Sequence, residues 1–352
     1  MGAILMNTLK NTLSIAAVYT SVLLGAGFAS GQEILSFFVA FQNWGFLGII
    51  LSGFIFSIVG IASLQLCFNY KITNYSDFFS FIVNSKLSLF METIVAIFLI
   101  VIFSTMLSAS GATLKQSFGI NFTLAVIVVS AICFVTFKVG IQAIVDLNSL
   151  LAPIMLVGGV FIGLYSFFYQ SSDVFANHIS SHLRNNWFIS SITYASYNMV
   201  TLVVILISLN KFVINKKVAF YGALLGGISI SFLGICIALP LRMHYNDVIN
   251  YEIPMIKIVS SLGFFINYAY LLVFICAVFT TAISNGYAFC EWLIFKFKLN
   301  PTLAKIMVCS FGAIFAHIGF SNFVNDIYPI FGIIGFIQIL VILFSYIKML
   351  RI

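Results

Sequence analysis

Nine consecutive residues, Gly25 to Glu33 (GAGFASGQE), bring together the side chains and backbone most able to do chemistry in an otherwise apolar chain. Glu33 is the one acid well inside an apolar run, which extends from about Leu13 to Phe41. Glu92, Asp146, Glu291 and Asp326 lie nearer the ends of theirs. A carboxylate near the bilayer midplane costs about 2.5–3.5 kcal/mol on insertion scales, so an acid there points to a job, such as binding an ammonium group or carrying a proton. Each glycine costs about 1 kcal/mol relative to alanine in a helix interior. The run therefore reads as a broken membrane helix, with one half up to about Leu24, an unwound turn, and a second half from about Gly31. Backbone freed at membrane depth is tolerated only inside protein or beside a wet cavity, so the break should line a site. Ser30-Gly31-Gln32-Glu33 also fits S-x-x-E, a capping box in which Glu33 would serve the second half-helix, and the two roles are compatible. A carboxylate at that N-terminus offsets the dipole that attracts anions, which favours a solute with a positive group or a zwitterion.

The elements that position this stretch are membrane spans. The 352 residues are 62% hydrophobic and 7% charged, with a mean hydropathy of +1.15. That composition demands a bilayer as partner. The net charge of +7 does not indicate nucleic acid, because the basic residues lie between apolar runs instead of in one patch. Cys67, Cys133, Cys236, Cys276, Cys290 and Cys309 are scattered through apolar stretches without CxxC spacing and read as small core residues. No HExxH, GxSxG or paired acids at depth mark an enzyme, and no resident cofactor is implied. Lys10, the apolar run to Leu24 and Gly27-Phe28-Ala29 imitate a signal peptide. The repeat described next needs that segment, so it is read as retained.

Ten spans are expected: 13–41 (broken), 45–69, 88–114, 121–138, 143–169, 187–209, 217–241, a long 256–295, 301–318 and 326–348. With the N-terminus inside, 12 of the 16 Lys and Arg fall on cytoplasmic segments and 4 (Lys115, Arg184, Arg242, Lys257) outside. This positive-inside split places both termini in the cytoplasm, in the plasma membrane. His317 ends span 9 near the outer face and reads as interfacial.

An internal repeat ties the spans together. Residues 46–61 and 220–235 share Phe46/Phe220, Gly48/Gly222, Leu51/Leu225, Gly53/Gly227, Ser57/Ser231, Gly60/Gly234 and Ile61/Ile235. Phe103, Thr105 and Ser108 match Phe279, Thr281 and Ser284, while NFTLAVIVV (121–129) matches NPTLAKIMV (300–308). Spans 2–4 thus pair with 7–9, and by extension 1 with 6 and 5 with 10. Tyr19-Thr20-Ser21 falls on Tyr194-Ala195-Ser196, where span 6 is polar (TYASYN, 193–198). Five spans being an odd number, the second half (187–348) enters from the face opposite the first (13–169). The expected fold is an all-α five-plus-five inverted repeat, spans 1 and 6 both broken, with its site at the midplane between the breaks.

GAGFASGQE within this ten-span frame resembles the YkvI-like membrane proteins across essentially the whole chain. More distantly the frame resembles LeuT-type transporters of the amino acid–polyamine–organocation superfamily. That resemblance implies alternating-access symport of a small polar solute, such as an amino acid or another amine, with sodium favoured over a proton. It also implies a sodium site. Ala277-Val278-Phe279-Thr280-Thr281 fits the Ala-x-x-[Ser/Thr]-[Ser/Thr] pattern of span 8, and matching Gly25-Ala26-Gly27 to Gly-x-Gly assigns carbonyls to Ser21 and Leu24. The competing reading of the two threonines is back-bonding to their own helix. For the solute, the expected residues are Gly25, Ala26, Gly27, Ser30, Gln32 and Glu33 at the break, Ser108 on span 3, and Tyr194, Ser196, Tyr197 and Asn198 on span 6. Ser104, Thr105, Ser284 and Asn285 face the same region. A receptor or sensor on a transporter fold is the alternative, separated by a flux assay once a ligand is known. An ion channel would carry a charged ring or filter, and none is visible.

Overall fold

The computed structural model describes residues 2–23, 25–72, 75–139 and 186–351, with scattered positions between 157 and 168. Among these residues every regular element is helical, as backbone that crosses a bilayer must satisfy its own hydrogen bonds. The helices are α1 (Gly2–Leu23), α2 (Ala26–Ala29), α3 (Gln32–Phe37), α4 (Asn43–Tyr70), α5 (Tyr75–Ile82), α6 (Ser85–Phe118) and α7 (Phe122–Val139). After them come α8 (Trp187–Ser208), α9 (Lys216–Met243), α10 (Pro254–Ser260), α11 (Phe264–Phe297), α12 (Pro301–Phe315) and α13 (Tyr328–Leu350), the last entered through a π-helical turn at Phe323–Ile327. Eight helices are long and apolar enough to cross a membrane, and they correspond to expected spans 2–4 and 6–10. Span 1 is divided between α1, α2 and α3. Span 5, like the turn residue Leu24, falls largely or wholly outside the described residues.

Helix lengths follow the repeat. α4 and α9 are each 28 residues long, and α6 and α11 are each 34. Short helices sit between the members of each pair, α5 in the first half and, after a single turn at Tyr245–Val248, α10 in the second. α10 and α11 together replace the expected continuous span 256–295. The chain turns at Gly263, whose φ of +109° suits glycine alone, and that turn divides the span.

The seam between α4 and α9 shows how the halves are related. A Cβ on Gly53 would lie 2.8 Å from the Gly227 carbonyl oxygen, and one on Gly227 would lie 2.6 Å from the Gly53 carbonyl. Gly53 faces Ser231 while Gly227 faces Ser57; Gly60 faces Ala223 while Gly234 faces Ile49. Each contact is made twice, with the partners exchanged between halves, which is the signature of a local two-fold axis. Gly48 packs on Ser191 of α8 and its counterpart Gly222 on Ile15 of α1, pairing those two helices as well. Trp44 and Trp187, at the starts of α4 and α8, stack at 5.8 Å and 15°. The two helices therefore start at the same face of the membrane, as a five-span repeat unit requires.

One expectation fails. α8 is continuous from Trp187 to Ser208 and runs unbroken through Tyr194–Asn198. The TYASYN run contains polar groups but no glycine or proline. The neighbouring Ser191 and the run's own Thr193 and Asn198 bond back to the preceding turn: Ser191 Oγ to the Trp187 carbonyl at 2.7 Å, Thr193 Oγ1 to Ile189 at 2.8 Å, and Asn198 Nδ2 to Tyr194 at 3.0 Å. Polar side chains that bond along their own helix leave the backbone ladder whole.

Candidate functional site

The site starts from the break in span 1. Gly31 takes the left-handed conformation, φ +80° and ψ −8°, at the N-cap of α3. A Cβ there would press on the side chains of Met255 and Leu241, at 2.8 and 3.0 Å. Ser30 Oγ donates to the Gly27 carbonyl (2.7 Å) and accepts from the Gln32 N–H (3.0 Å), holding the turn shut. Outside contacts pin it further. Met255 N–H donates to the Ser30 carbonyl (3.0 Å), Tyr270 Oη to the Ala29 carbonyl (2.7 Å), and Ser190 Oγ to the Phe37 carbonyl (2.7 Å). Helices α9, α10, α11 and α8 thus each touch the broken segment.

The capping box does not form. Ser30 caps Gln32, and α3 has no side-chain cap from its N-cap residue. Glu33 instead folds back across the break onto Gly27, where a Cβ would lie 2.5 Å from its Cδ and 3.1 Å from its Cγ. Gly27 is glycine because the carboxylate occupies that space. Buried there, Glu33 is faced by the hydroxyls of Tyr194 and Tyr197, with Tyr328 close by. Neither Tyr194 Oη nor Tyr197 Oη completes a hydrogen bond of good geometry in this conformation. The rings are held tightly. Tyr194 lies 5.5 Å from Tyr197, Tyr197 lies 5.0 Å from Tyr328, and Phe37 lies 5.4 Å from both Tyr194 and Tyr197.

Not every expected residue converges on the carboxylate. Gln32, Ser108 and Ser196 are buried, each with a side-chain oxygen that has no hydrogen-bond partner, but none is bonded to Glu33. Asn198 spends its amide on the Tyr194 carbonyl. Ser104 and Thr105 bond back to Ile100 and Val101, and Ser284 and Asn285 to Thr280 and Thr281. The side chain of Ala26 is not among the described ones. Tyr328 was not foreseen, although it is the third phenol of the cluster and its hydroxyl lies against Thr105. As one of 15 tyrosines, following an ordinary polar turn, it carried no signal in the sequence.

The expected sodium ligands are partly assembled. A Cβ on Gly25 would lie 3.4 Å from Thr281 Oγ1, so the start of the break and the span 8 hydroxyl face each other. Thr281 Oγ1 donates to the Ala277 carbonyl at 2.8 Å, and Thr280 Oγ1 bonds to Cys276 and Ala277 at 2.9 and 3.1 Å. Both hydroxyls donate their protons along the helix, and a hydroxyl oxygen that donates can still accept or coordinate through its lone pairs. Leu24 and the Ser21 side chain lie outside the described positions.

No family model matches the chain. It is 28% identical over 330 residues to the uncharacterized membrane protein YkvI of Bacillus subtilis (strain 168), covering 91% of this chain and 92% of that one. The chain is thus similar to YkvI along nearly its whole length. It is also 24% identical over 324 residues to the uncharacterized protein YyaD of the same organism, covering 92% and 93% of the two chains. Among solved structures, the inward-facing conformation of Mhp1 superposes with a TM-score of 0.69 at 16% identity, over 94% of this chain and 75% of that one. A manganese transporter of Eremococcus coleocola gives 0.60 at 12%, over 91% and 77%. A Na+-coupled sialic acid symporter gives 0.51 at 15%, over 89% and 81%. The YkvI-like chain therefore has the LeuT-type fold, all-helical and polytopic.

Proposed function

We propose that this YkvI-like protein is a secondary active transporter that moves a small polar organic solute by alternating access. The solute carries a positive group, as an amine or a zwitterion such as an amino acid, and moves in symport with a cation. The observation that carries this reading is the buried Glu33 carboxylate, folded onto Gly27 at the helix break and faced by phenols from the second half of the chain. A carboxylate held at membrane depth without a basic partner among the described residues is stable only when something neutralises it, and a transported cation does so. The solute meets Gly25, Ala26, Gly27, Ser30, Gln32 and Glu33 on one side and Ser108, Tyr194, Ser196, Tyr197 and Asn198 on the other. Sodium is the coupling ion favoured here, at Ala277, Thr280 and Thr281 with the carbonyls of Ser21 and Leu24. The facing of Gly25 and Thr281 supports that placement. The neighbours whose names speak of cation and solute symport support it further. Both termini lie in the cytoplasm and the host membrane is the plasma membrane, a reading the charge split supports.

The test is uptake into proteoliposomes with an imposed sodium gradient, comparing the parent with Glu33→Gln. Parent uptake that the variant loses supports the reading. Solute binding without flux in the parent assigns the protein to a receptor role instead.

A further inference from the structure

Among the described residues only two charged side chains are buried, Glu33 and Arg242. The described groups acting on Glu33 are phenols, with no lysine, arginine or histidine among the described residues there. Arg242 follows Leu241, which packs against Gly31, and is not one of those groups. A solute carboxylate needs a cation or a set of unused backbone amides. Four amides of this break are already taken: Ala29 N–H bonds to Gly25, Gly31 N–H to Phe28, Gln32 N–H to Ser30 Oγ, and Leu35 N–H to Gly31. The end of α3 that would otherwise attract an anion carries Glu33 itself, and two carboxylates in one buried place repel each other. What the place offers is one negative charge, the hydroxyls of Tyr194 and Tyr197, and the Tyr197 ring 5.5 Å from that of Tyr194 and 5.0 Å from that of Tyr328. Aromatic faces attract a desolvated ammonium group.

We propose that the solute is a small amine cation without a carboxylate, its ammonium seated on Glu33 among Tyr194, Tyr197 and Tyr328. This rests on the transporter reading and narrows it from amines and zwitterions to amines alone.

The experiment is thermal stabilisation of the purified full-length protein, in which a ligand of the folded state raises the melting temperature by mass action. The probes are four amines, each beside the amino acid with the same side chain: methylamine and glycine, ethanolamine and serine, isoamylamine and leucine, tyramine and tyrosine. At least one amine should stabilise the protein, at a concentration at which its amino acid does not. Glu33→Gln should weaken that amine by about 100-fold or more, the scale of a broken buried ion pair. Tyr328→Phe, which keeps the ring, should weaken it by less than about tenfold. An amino acid that stabilises as well as its amine overturns the proposal, and so does a panel in which no amine stabilises. Should Glu33→Gln fail to fold, the amine–amino acid contrast on the parent decides alone. Amine binding that depends on Glu33 without any proteoliposome uptake sinks the transporter reading and leaves this one standing. Uptake of an amino acid in preference to its amine does the reverse.

Discussion

The two leading helices occupy equivalent places in the repeat and solve the same problem differently. Span 1 is interrupted at Gly25–Gly31, while α8 passes straight through Tyr194–Asn198. Both stretches are polar, so polarity alone does not break a membrane helix. Glycine does, when neighbours hold the open turn, as Met255, Tyr270 and Ser30 do here. The two helices divide the labour accordingly. The broken one contributes a carboxylate and a close backbone, and the intact one contributes hydroxyls on a rigid rod. The site lies where the two meet.

The sharpest way to break this comparison is Glu33→Gln. Amide and acid have nearly the same shape, so the melting temperature should hold while uptake in proteoliposomes falls by about 100-fold or more, as for a severed buried ion pair. A fully active variant would show that the broken helix contributes no charge to transport. The next test sets Gly27→Ala against Ala195→Gly. The first inserts a Cβ 2.5 Å from Glu33 Cδ, so the carboxylate must swing away, at a cost of about 1–3 kcal/mol for overpacking and about a tenfold loss of uptake. The second puts a glycine into the intact helix and should cost about 1 kcal/mol in stability with uptake largely kept. Uptake lost equally in both would erase the division of labour.

Thr281→Ala sharpens the role of the break as an ion site. Its hydroxyl bonds only along its own helix, so folding should survive, whereas sodium stimulation of uptake should disappear. Full stimulation in the variant removes Thr281 from the coupling site. The smallest effect comes from the repeat-matched tyrosines. Tyr19 Oη donates to the Phe56 carbonyl at 2.6 Å, so Tyr19→Phe should cost about 1 kcal/mol. Tyr194 Oη has no such bond, so Tyr194→Phe should melt like the parent yet bind the solute several-fold more weakly. Equal losses of melting temperature would mean that both phenols are structural.

The fold was legible because two periodic signals survive in the chain, apolar runs of membrane length and glycines matched between halves. Gly53 and Gly227 are conspicuous in sequence for the same reason they touch in space, since only glycine lets the backbones of α4 and α9 approach so closely. Glu33 was legible because a buried acid is rare. Its direction was not. S-x-x-E describes a local hydrogen-bond option, and the tertiary contacts of Tyr194 and Tyr197 with the carboxylate displaced that option. The division of span 8 was hidden by apolar residues that continue across Gly263, and the conformation of that one glycine is not written in hydropathy. Tyr328 was hidden because its partners, Tyr197 and Glu33, lie more than a hundred residues away.

The seam between α4 and α9 presents the same contacts to an observer on either side of the membrane. Gly53 on Ser231 becomes Ser57 on Gly227 when the view is inverted. Such a seam has no polarity of its own. Any resting preference of the molecule must then come from parts that have no twin. The grip of the Met255 amide on the Ser30 carbonyl is such a part, because the turn it holds exists in only one of the two leading helices.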